Sequence, residues 1–297
     1  MKPGFSGRHI MWLAPLLMVV SAISNYAGAA MAIGLFAELP AWLVAWLRMS
    51  ASALILVAIW RPHYAEFWGR SGALALFFGC ATFGMNAAFY EAIARLPLGT
   101  AVALEFSGPI MVAALGSRTL RDWLALILAG SGVLILSGAQ WEVSATGVLF
   151  ALLAAAMWAA YILLGSQISK KVETSASSMS VGFFWAAMLS LPAALWAFPK
   201  PAELSHSLLW LLLLALGLGA LSSVIPYSLD QVIMRMAGAT YFSILLALLP
   251  VVGALVGALA LSQVLSQLEI IGMIFVVLAV LCRKPEGRST KIAEVSP

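Results

Sequence analysis

Long apolar runs of about 18–24 residues recur along the whole sequence, and a helix of that length crosses the hydrocarbon core of a bilayer. In lipid, backbone polar groups must be satisfied within the protein, so only helices and closed barrels span a membrane. Barrel strands alternate apolar and polar side chains over roughly 10 residues, and these runs do not alternate. The pattern therefore predicts an all-α integral membrane protein.

The composition excludes a soluble fold of this length. Of 297 residues, 63% are hydrophobic and 9% are charged, whereas an average soluble domain is about 25% charged. A soluble protein must keep its surface wet, and this chain has too few polar side chains to do so. The lipid bilayer is therefore the expected environment of most of the chain.

Ten transmembrane helices are predicted, joined by short connections. They cover residues 10–33, 41–60, 72–94, 98–117, 121–138, 145–166, 176–198, 207–230, 239–261 and 266–283. Residues 284–297 are predicted to form a polar cytoplasmic tail. The ten spans divide into two five-helix repeats, residues 1–140 and 141–283. Because five is odd, the second repeat starts on the opposite side of the membrane, which gives two inverted repeats around a central cavity.

A faint internal similarity supports this division. Shifting the sequence by 141 residues places Leu104, Pro109, Ala113 and Gly116 on Leu245, Pro250, Ala254 and Gly257. Each proline removes a backbone hydrogen bond at the same depth of its helix. Pro109 and Pro250 are therefore expected to let the fourth and ninth helices bend as the protein opens and closes.

The basic residues set the expected orientation. With a cytoplasmic N-terminus, thirteen of the sixteen face the cytoplasm: Lys2, Arg8, Arg61, Arg70, Arg118, Arg121, Lys170, Lys171, Arg235, Arg283, Lys284, Arg288 and Lys291. Arg95 and Lys200 fall on the far side. This bias predicts a multi-pass protein of a bacterial inner membrane with both termini in the cytoplasm. Because the basic residues are scattered over loops, no nucleic-acid partner is expected.

Two charged residues lie well inside predicted spans, Arg48 in the second and Glu105 in the fourth. A charge at mid-bilayer costs roughly 2.5–3.5 kcal/mol, so it should face the interior, find a partner or serve a function. Glu105 is interpreted either as a proton site or ligand for a substrate amine, or as half of a structural ion pair with Arg48. Glu91, Asp230 and Glu269 lie nearer the span ends, where a solvated side chain is favoured.

No enzyme chemistry is indicated by the sequence. His9, His63 and His206 lie outside the predicted spans, and Cys80 and Cys282 are far apart. No metal site, cofactor or nucleophile–base set is therefore expected. An intramembrane enzyme is kept as a remote alternative, and the short loops disfavour a membrane scaffold.

Several longer motifs carry a resemblance to a known family. They are Gly84-Met85-Asn86, Phe89-Tyr90, Pro97-Leu98-Gly99, the run Ala101-Val102-Ala103-Leu104-Glu105-Phe106-Ser107-Gly108-Pro109, and Pro226-Tyr227-Ser228-Leu229-Asp230. With these motifs the chain resembles the drug/metabolite transporter superfamily, EamA type. Within that superfamily it is most similar to the bacterial threonine/homoserine exporter group.

The resemblance implies export of amino acids or similar metabolites, driven by the proton gradient. The expected mechanism is alternating access, in which the two halves rock about a central site. A broad exporter of drugs, nucleobases or other metabolites is the alternative. The residues expected to bind substrate are Asn86, Tyr90, Glu105, Trp158, Tyr161 and Tyr227. Glu105 and Asp230 are expected to couple transport to protons.

The chain also departs from the family pattern. Members often carry a glutamate just before the proline of the ninth helix and end that helix with Leu-Gly-Glu. Here the corresponding residues are Leu249 and Leu261-Ser262-Gln263. The missing carboxylates concentrate the expected proton route on Glu105. On the same helix, the small pair Gly253 and Gly257 favours close helix packing, either within the chain or across a homodimer.

Overall fold

The computed structural model describes residues 7–36, 39–96, 98–138, 144–170, 175–200, 204–260 and 266–283. Within these ranges the regular secondary structure is helical, and no β-strand occurs. The tail 284–297, Pro97 and the family-divergent residues 261–263 lie outside the described residues.

The described residues of the first part of the chain form six α-helices. They are α1 (Gly7–Phe36), α2 (Ala41–Trp60), α3 (Gly69–Ile93), α4 (Leu98–Glu105), α5 (Ser107–Leu115) and α6 (Leu120–Ser137). A short 3₁₀-helix, Tyr64–Phe67, lies between α2 and α3. Thr119 caps α6 by accepting a hydrogen bond from the Asp122 amide, as expected for a threonine at this position.

In the second part of the chain, the residues that the structure describes form seven α-helices. They are α7 (Ala145–Ser169), α8 (Ser175–Ala197), α9 (Leu208–Gly219), α10 (Ile225–Ala237), α11 (Ala239–Leu245), α12 (Leu248–Ala260) and α13 (Gln267–Cys282). A π-helical turn, Ala220–Val224, joins α9 to α10. Ser144, Ser207 and Ser266 cap α7, α9 and α13 with their hydroxyls, so the sequence marks these helix starts locally.

Many of these helices can cross a membrane. Among the described residues, seven segments are long and apolar enough: Trp42–Trp60, Gly69–Ile93, Leu120–Ser137, Ala145–Ser169, Ser175–Ala197, Leu208–Ala237 and Ala239–Val256. Three shorter apolar segments, Trp12–Gly28, Thr100–Leu115 and Gln267–Cys282, coincide with the remaining predicted spans. The all-helical membrane class predicted from the sequence is confirmed.

Two of the predicted spans are broken near their prolines. The fourth consists of α4 and α5, which meet at Phe106, and the ninth consists of α11 and α12, which meet at residues 246–247. A proline cannot donate to the carbonyl four residues earlier, so Pro109 and Pro250 leave the carbonyls of Glu105 and Leu246 without that partner.

The predicted end of the eighth span at residue 230 is wrong, because α10 continues to Ala237. Asp230, Gln231 and Arg235 make this segment polar, and its sequence therefore resembles a loop. The structure instead buries Asp230 and Gln231 on one face of the helix. The helix ends at Gly238, whose φ of 82° lies in the left-handed region that glycine adopts at little cost.

The helices pack in a regular set of pairs. α3 packs against α7 and α8, while α1 packs against α9 and α10. α6 pairs with α13, α2 with α8, and α5 with α11. Where α3 meets α8, a Cβ atom at Gly79 would collide with the carbonyl of Gly182, so small residues set this close approach.

The described part of the proposed dimer motif packs inside the chain. Gly253 on α12 lies against the ring of Tyr26 on α1, and a Cβ added at Gly253 would lie 2.8 Å from the Tyr26 Cζ atom. This glycine therefore allows two helices of the same chain to pack closely.

Candidate functional site

A cavity of about 550 Å³ lies where helices from both parts of the chain converge. Its volume falls in the range of about 300–1,000 Å³ typical of small-molecule sites. The residues predicted from the sequence that line it are Arg48, Asn86, Tyr90, Glu105, Trp158, Tyr161, Tyr227, Asp230 and Pro250. Pro109 does not line the cavity; it lies one helical turn beyond Glu105 on α5.

Asp230 is held on one side of the cavity by two hydroxyl groups. The Tyr161 hydroxyl donates a hydrogen bond of 2.7 Å to Oδ2, and Ser21 donates a longer one of 3.5 Å to Oδ1. Asp230 is 6% exposed and Tyr161 is 1% exposed. Helices α1, α7 and α10 are thus joined through one buried carboxylate.

Asn86 is the centre of a second polar cluster. Its Nδ2 donates to the Thr82 carbonyl at 2.7 Å and to the Tyr227 hydroxyl at 3.1 Å. Its Oδ1 accepts a hydrogen bond from the Arg48 guanidinium. The side-chain amide is a rigid planar group, so contacts made at both its oxygen and its nitrogen fix the orientation of Asn86.

Arg48 is buried in this cluster, with 7% of the residue exposed. Its Nε has no hydrogen-bond partner among the described residues. Within that same part of the chain, Arg48 and Glu105 form no ion pair at the 4.0 Å limit. The arginine that could have neutralised Glu105 is instead held by Asn86.

Glu105 differs from Arg48 and Asp230, the other predicted charged residues of the cavity, because its side chain has no partner among the described residues. It is 9% exposed and lies at the last residue of α4, next to the break at Phe106. Among the residues that the structure describes, its carboxylate accepts no hydrogen bond and joins no ion pair. A buried carboxylate in this state is available to bind a proton or a cationic group.

Aromatic rings form much of the remaining wall. Tyr161 lies against Tyr227 with ring centroids 5.4 Å apart, and Phe183 meets Tyr227 edge-on at 5.6 Å. Near Glu105, Phe106 meets Trp158 edge-on at 6.1 Å. These contacts pack the rings that face the cavity and offer an apolar surface to a ligand.

Three carboxylates expected near the span ends have different environments. Glu91 pairs with Arg95 at 2.5 Å with part of both side chains exposed, and Glu269 bonds to Ser266 at the start of α13. For Asp230 the expectation of a solvated side chain is wrong, because α10 extends past it and places it in the interior.

Several polar residues of the cavity were not predicted from the sequence, among them Ser21, Asn25 and Ser222. Ser21 and Asn25 are four residues apart and share one face of α1. That spacing within an otherwise apolar helix is a signal that could have identified them. Ser222 lies in the π-helical turn, whose position the sequence does not indicate.

The cavity is suited to bind a small polar solute. It presents a guanidinium, two carboxylates, hydroxyl groups and aromatic rings. Across the described ranges, no group of three or more His, Cys, Asp and Glu side chains could hold a metal ion. The chemistry at hand is therefore recognition by charge and hydrogen bonding.

Comparison with known proteins identifies the family of the chain. It is 32% identical to the threonine/homoserine exporter RhtA of Salmonella typhimurium over 283 residues, which cover 93% of each chain. The same exporter of Escherichia coli K12 is 32% identical over 275 residues, 91% of each chain. The sequence profile of the EamA-like transporter family matches residues 145–282. The chain belongs to the EamA-like transporter family.

A solved structure agrees with this assignment at the level of fold. A crystal structure of another protein superposes with a TM-score of 0.65 at 18% identity, over 93% of this chain and 95% of the other. Family membership and the apolar helices identify a multi-pass protein of the bacterial inner membrane. They also agree with the expectation of a transporter rather than an intramembrane enzyme.

Proposed function

We propose that this family member is a secondary transporter that exports amino acids or similar small metabolites by proton-coupled alternating access. The observation that carries the proposal is Glu105, whose carboxylate is buried in a cavity of about 550 Å³ and has no partner among the described residues. An intramembrane charge that no protein group neutralises needs a functional explanation.

The proposed cargo follows from the cavity chemistry and from the relatives. The two bacterial relatives are named threonine/homoserine exporters, and a neutral amino acid carries an ammonium and a carboxylate. Glu105 would bind the ammonium, while the polar groups of Asn86, Tyr90 and Tyr227 would bind near the carboxylate. Trp158 and Tyr161 would cover the apolar part of the solute, as aromatic rings do in small-molecule sites.

Proton coupling would follow from competition at Glu105. The carboxylate can hold either a proton or the ammonium of the substrate, so binding of one expels the other, which is antiport. Asp230 is the second proposed proton-coupling residue because it is buried and lines the same cavity. Its oxygens already accept hydrogen bonds from Tyr161 and Ser21, which supports Glu105 as the principal site.

The inverted-repeat arrangement is proposed from the pattern of helix contacts. If residues 1–140 and 141–283 are equivalent, the α1–α10 contact corresponds to the α7–α3 contact, and both occur. The α6–α13 and α2–α8 pairs each join equivalent helices, and the α5–α11 pair joins the equivalent fourth and ninth spans. The helix break at Phe106 corresponds to residue 247 at the same shift of 141. Alternating access would then be a rocking of the two halves about the cavity.

One hydrogen bond supports the same symmetry. Asn86 and Tyr227 are 141 residues apart and bond directly, so equivalent positions of the two halves meet beside the cavity. We place both termini in the cytoplasm on the distribution of basic residues.

The experiment that tests the function is solute flux in proteoliposomes with an imposed pH gradient. The panel contains threonine, homoserine, other amino acids and several nucleobases. We expect gradient-driven movement of neutral amino acids that is lost in Glu105→Ala. Glu105→Gln retaining driven transport with an unchanged pH dependence would overturn the proton role.

A second candidate function is broad export of drugs, nucleobases or other metabolites by the same fold. The aromatic side chains of Trp158 and Tyr161 in the cavity wall favour it, because the faces of aromatic rings accept flat apolar solutes. In the same flux panel, movement of nucleobases without amino acids would select this candidate.

A further inference from the structure

The buried guanidinium of Arg48 lies in the cavity with neutral protein partners. We propose that Arg48 binds the carboxylate of the transported solute, so that the cavity accepts α-amino acids with a free carboxylate and rejects their amides, esters and decarboxylated amines. This inference rests on the proposed transport function and names the substrate class of the same cavity.

The first support is the charge state of the surroundings. Arg48 donates to the Asn86 amide oxygen and lies beside the hydroxyls of Tyr90 and Tyr227. No Asp or Glu side chain of the described residues lies within 4.0 Å of its guanidinium nitrogens. A buried cation without an opposite charge is strongly disfavoured, and an anionic group of the ligand would supply that charge.

The second support is an unused donor. Arg48 is 7% exposed, yet its Nε has no partner among the described residues. Guanidinium presents its N–H groups as a rigid fork that matches the two oxygens of a carboxylate. With Nη2 occupied by Asn86, Nε is the donor that is available to a ligand.

The third support is preorganisation. Asn86, which holds Arg48, is itself fixed by the Thr82 carbonyl at 2.7 Å and the Tyr227 hydroxyl at 3.1 Å. Ser52 further ties the backbone of this part of α2 to α9, through a 3.2 Å hydrogen bond to the Gly219 carbonyl. The guanidinium is therefore held in position before a ligand arrives, which lowers the entropic cost of binding.

The fourth support is the separation of charges in one cavity. Glu105 and Arg48 both line it without pairing, and Asp230 is engaged by Tyr161 and Ser21. A zwitterion brings an ammonium for Glu105 and a carboxylate for Arg48 at the same time. A solute with one of these groups leaves one buried protein charge without a partner, and sites built this way discriminate strongly.

The test is competition against labelled threonine in counterflow, using wild-type protein in proteoliposomes. Threonine amide, threonine methyl ester and 1-aminopropan-2-ol lack the carboxylate, while N-acetylthreonine lacks the ammonium. We expect each analogue to compete at least about 10-fold less well than unlabelled threonine. Equal competition by the amide and threonine would overturn the inference while leaving the transport function intact.

Variants of Arg48 distinguish a role in substrate binding from a role in folding. Arg48→Gln and Arg48→Lys are compared with Arg95→Gln, a control at a partly exposed arginine that pairs with Glu91. We expect Arg48→Gln to lose threonine counterflow and its preference over the amide, Arg48→Lys to keep part of both, and the control to keep all. An Arg48→Gln protein that transports threonine with unchanged selectivity contradicts the inference. If wild-type protein moves nucleobases but no amino acid, the inference fails together with the proposed cargo.

Discussion

Two buried carboxylates face the same cavity, but their environments differ. Asp230 accepts hydrogen bonds from Tyr161 and Ser21, whereas Glu105 has no partner among the described residues. Asp230 lies inside a continuous helix, and Glu105 lies where α4 ends. The comparison shows that burial alone does not define a functional carboxylate. Glu105 can exchange a proton for a substrate group because its oxygens accept no hydrogen bond from the described residues.

The backbone explains much of this difference. Pro109 withdraws the N–H that would bond to the Glu105 carbonyl, so the helix is interrupted beside this residue. Asp230 has no proline four residues ahead, and α10 continues for two turns beyond it. We infer that the α4–α5 break lets Glu105 move during transport, while α10 keeps Asp230 in place.

The largest expected effect is on the affinity for threonine, which should fall much more in Glu105→Gln than in Asp230→Asn. A hydrogen bond to a charged group contributes about 1.5–3 kcal/mol, so Glu105→Gln should weaken binding about 10–150-fold. Asp230→Asn should weaken it less than about 3-fold, because its oxygens already bond within the protein. Isothermal titration in detergent measures both. Equal losses in the two variants would remove the distinction between them.

A second expected effect concerns stability on the Asp230 side. Tyr161→Phe removes the 2.7 Å hydrogen bond and leaves a buried carboxylate with one weak donor, which should cost about 1–3 kcal/mol. The melting temperature in detergent should fall accordingly. Glu105→Gln is the matched control, and it should leave the melting temperature unchanged or raise it, since no bond is broken.

A third expected effect tests the role of the helix break. Pro109→Ala restores an N–H donor for the Glu105 carbonyl, which should raise stability by about 1 kcal/mol. The straighter helix should slow threonine flux. Pro250→Ala is the equivalent change in the other broken helix. A Pro109→Ala protein with wild-type flux and stability would show that the break does not depend on this proline.

The smallest expected effect concerns Ser21. Its bond to Asp230 is 3.5 Å long, at the outer limit of hydrogen bonding, so Ser21→Ala should cost no more than about 0.5 kcal/mol. Ser24→Ala, which removes a 2.6 Å bond to the Leu221 carbonyl, is the comparison and should cost more. The order of the two melting temperatures decides whether Ser21 positions Asp230 appreciably.

Much of the fold could be predicted because lipid imposes long apolar helices. The predicted bounds of the second and fifth spans, 41–60 and 121–138, lie within one residue of α2 and α6. The eighth span was wrong at its end because α10 is amphipathic, and its polar face is buried against other helices rather than exposed to water. Hydropathy alone cannot distinguish these two situations.

The residues of the candidate site could be predicted better than their contacts. A charge such as Arg48 within an apolar run is conspicuous, and it does line the cavity. Its partner could not be predicted, because a guanidinium reaches several neighbouring helices and the sequence does not fix which one. The structure places Asn86 there, and within the described part of the chain Glu105 has no counter-ion.

The central claim is that proton and substrate compete for Glu105. The most direct measurement is proton release when threonine is added to the purified protein in weakly buffered detergent solution, near the pH at which the carboxyl is half protonated. We predict release in wild-type protein and in Asp230→Asn, and none in Glu105→Gln that still binds threonine at saturating concentration. Undiminished release from Glu105→Gln would contradict the account.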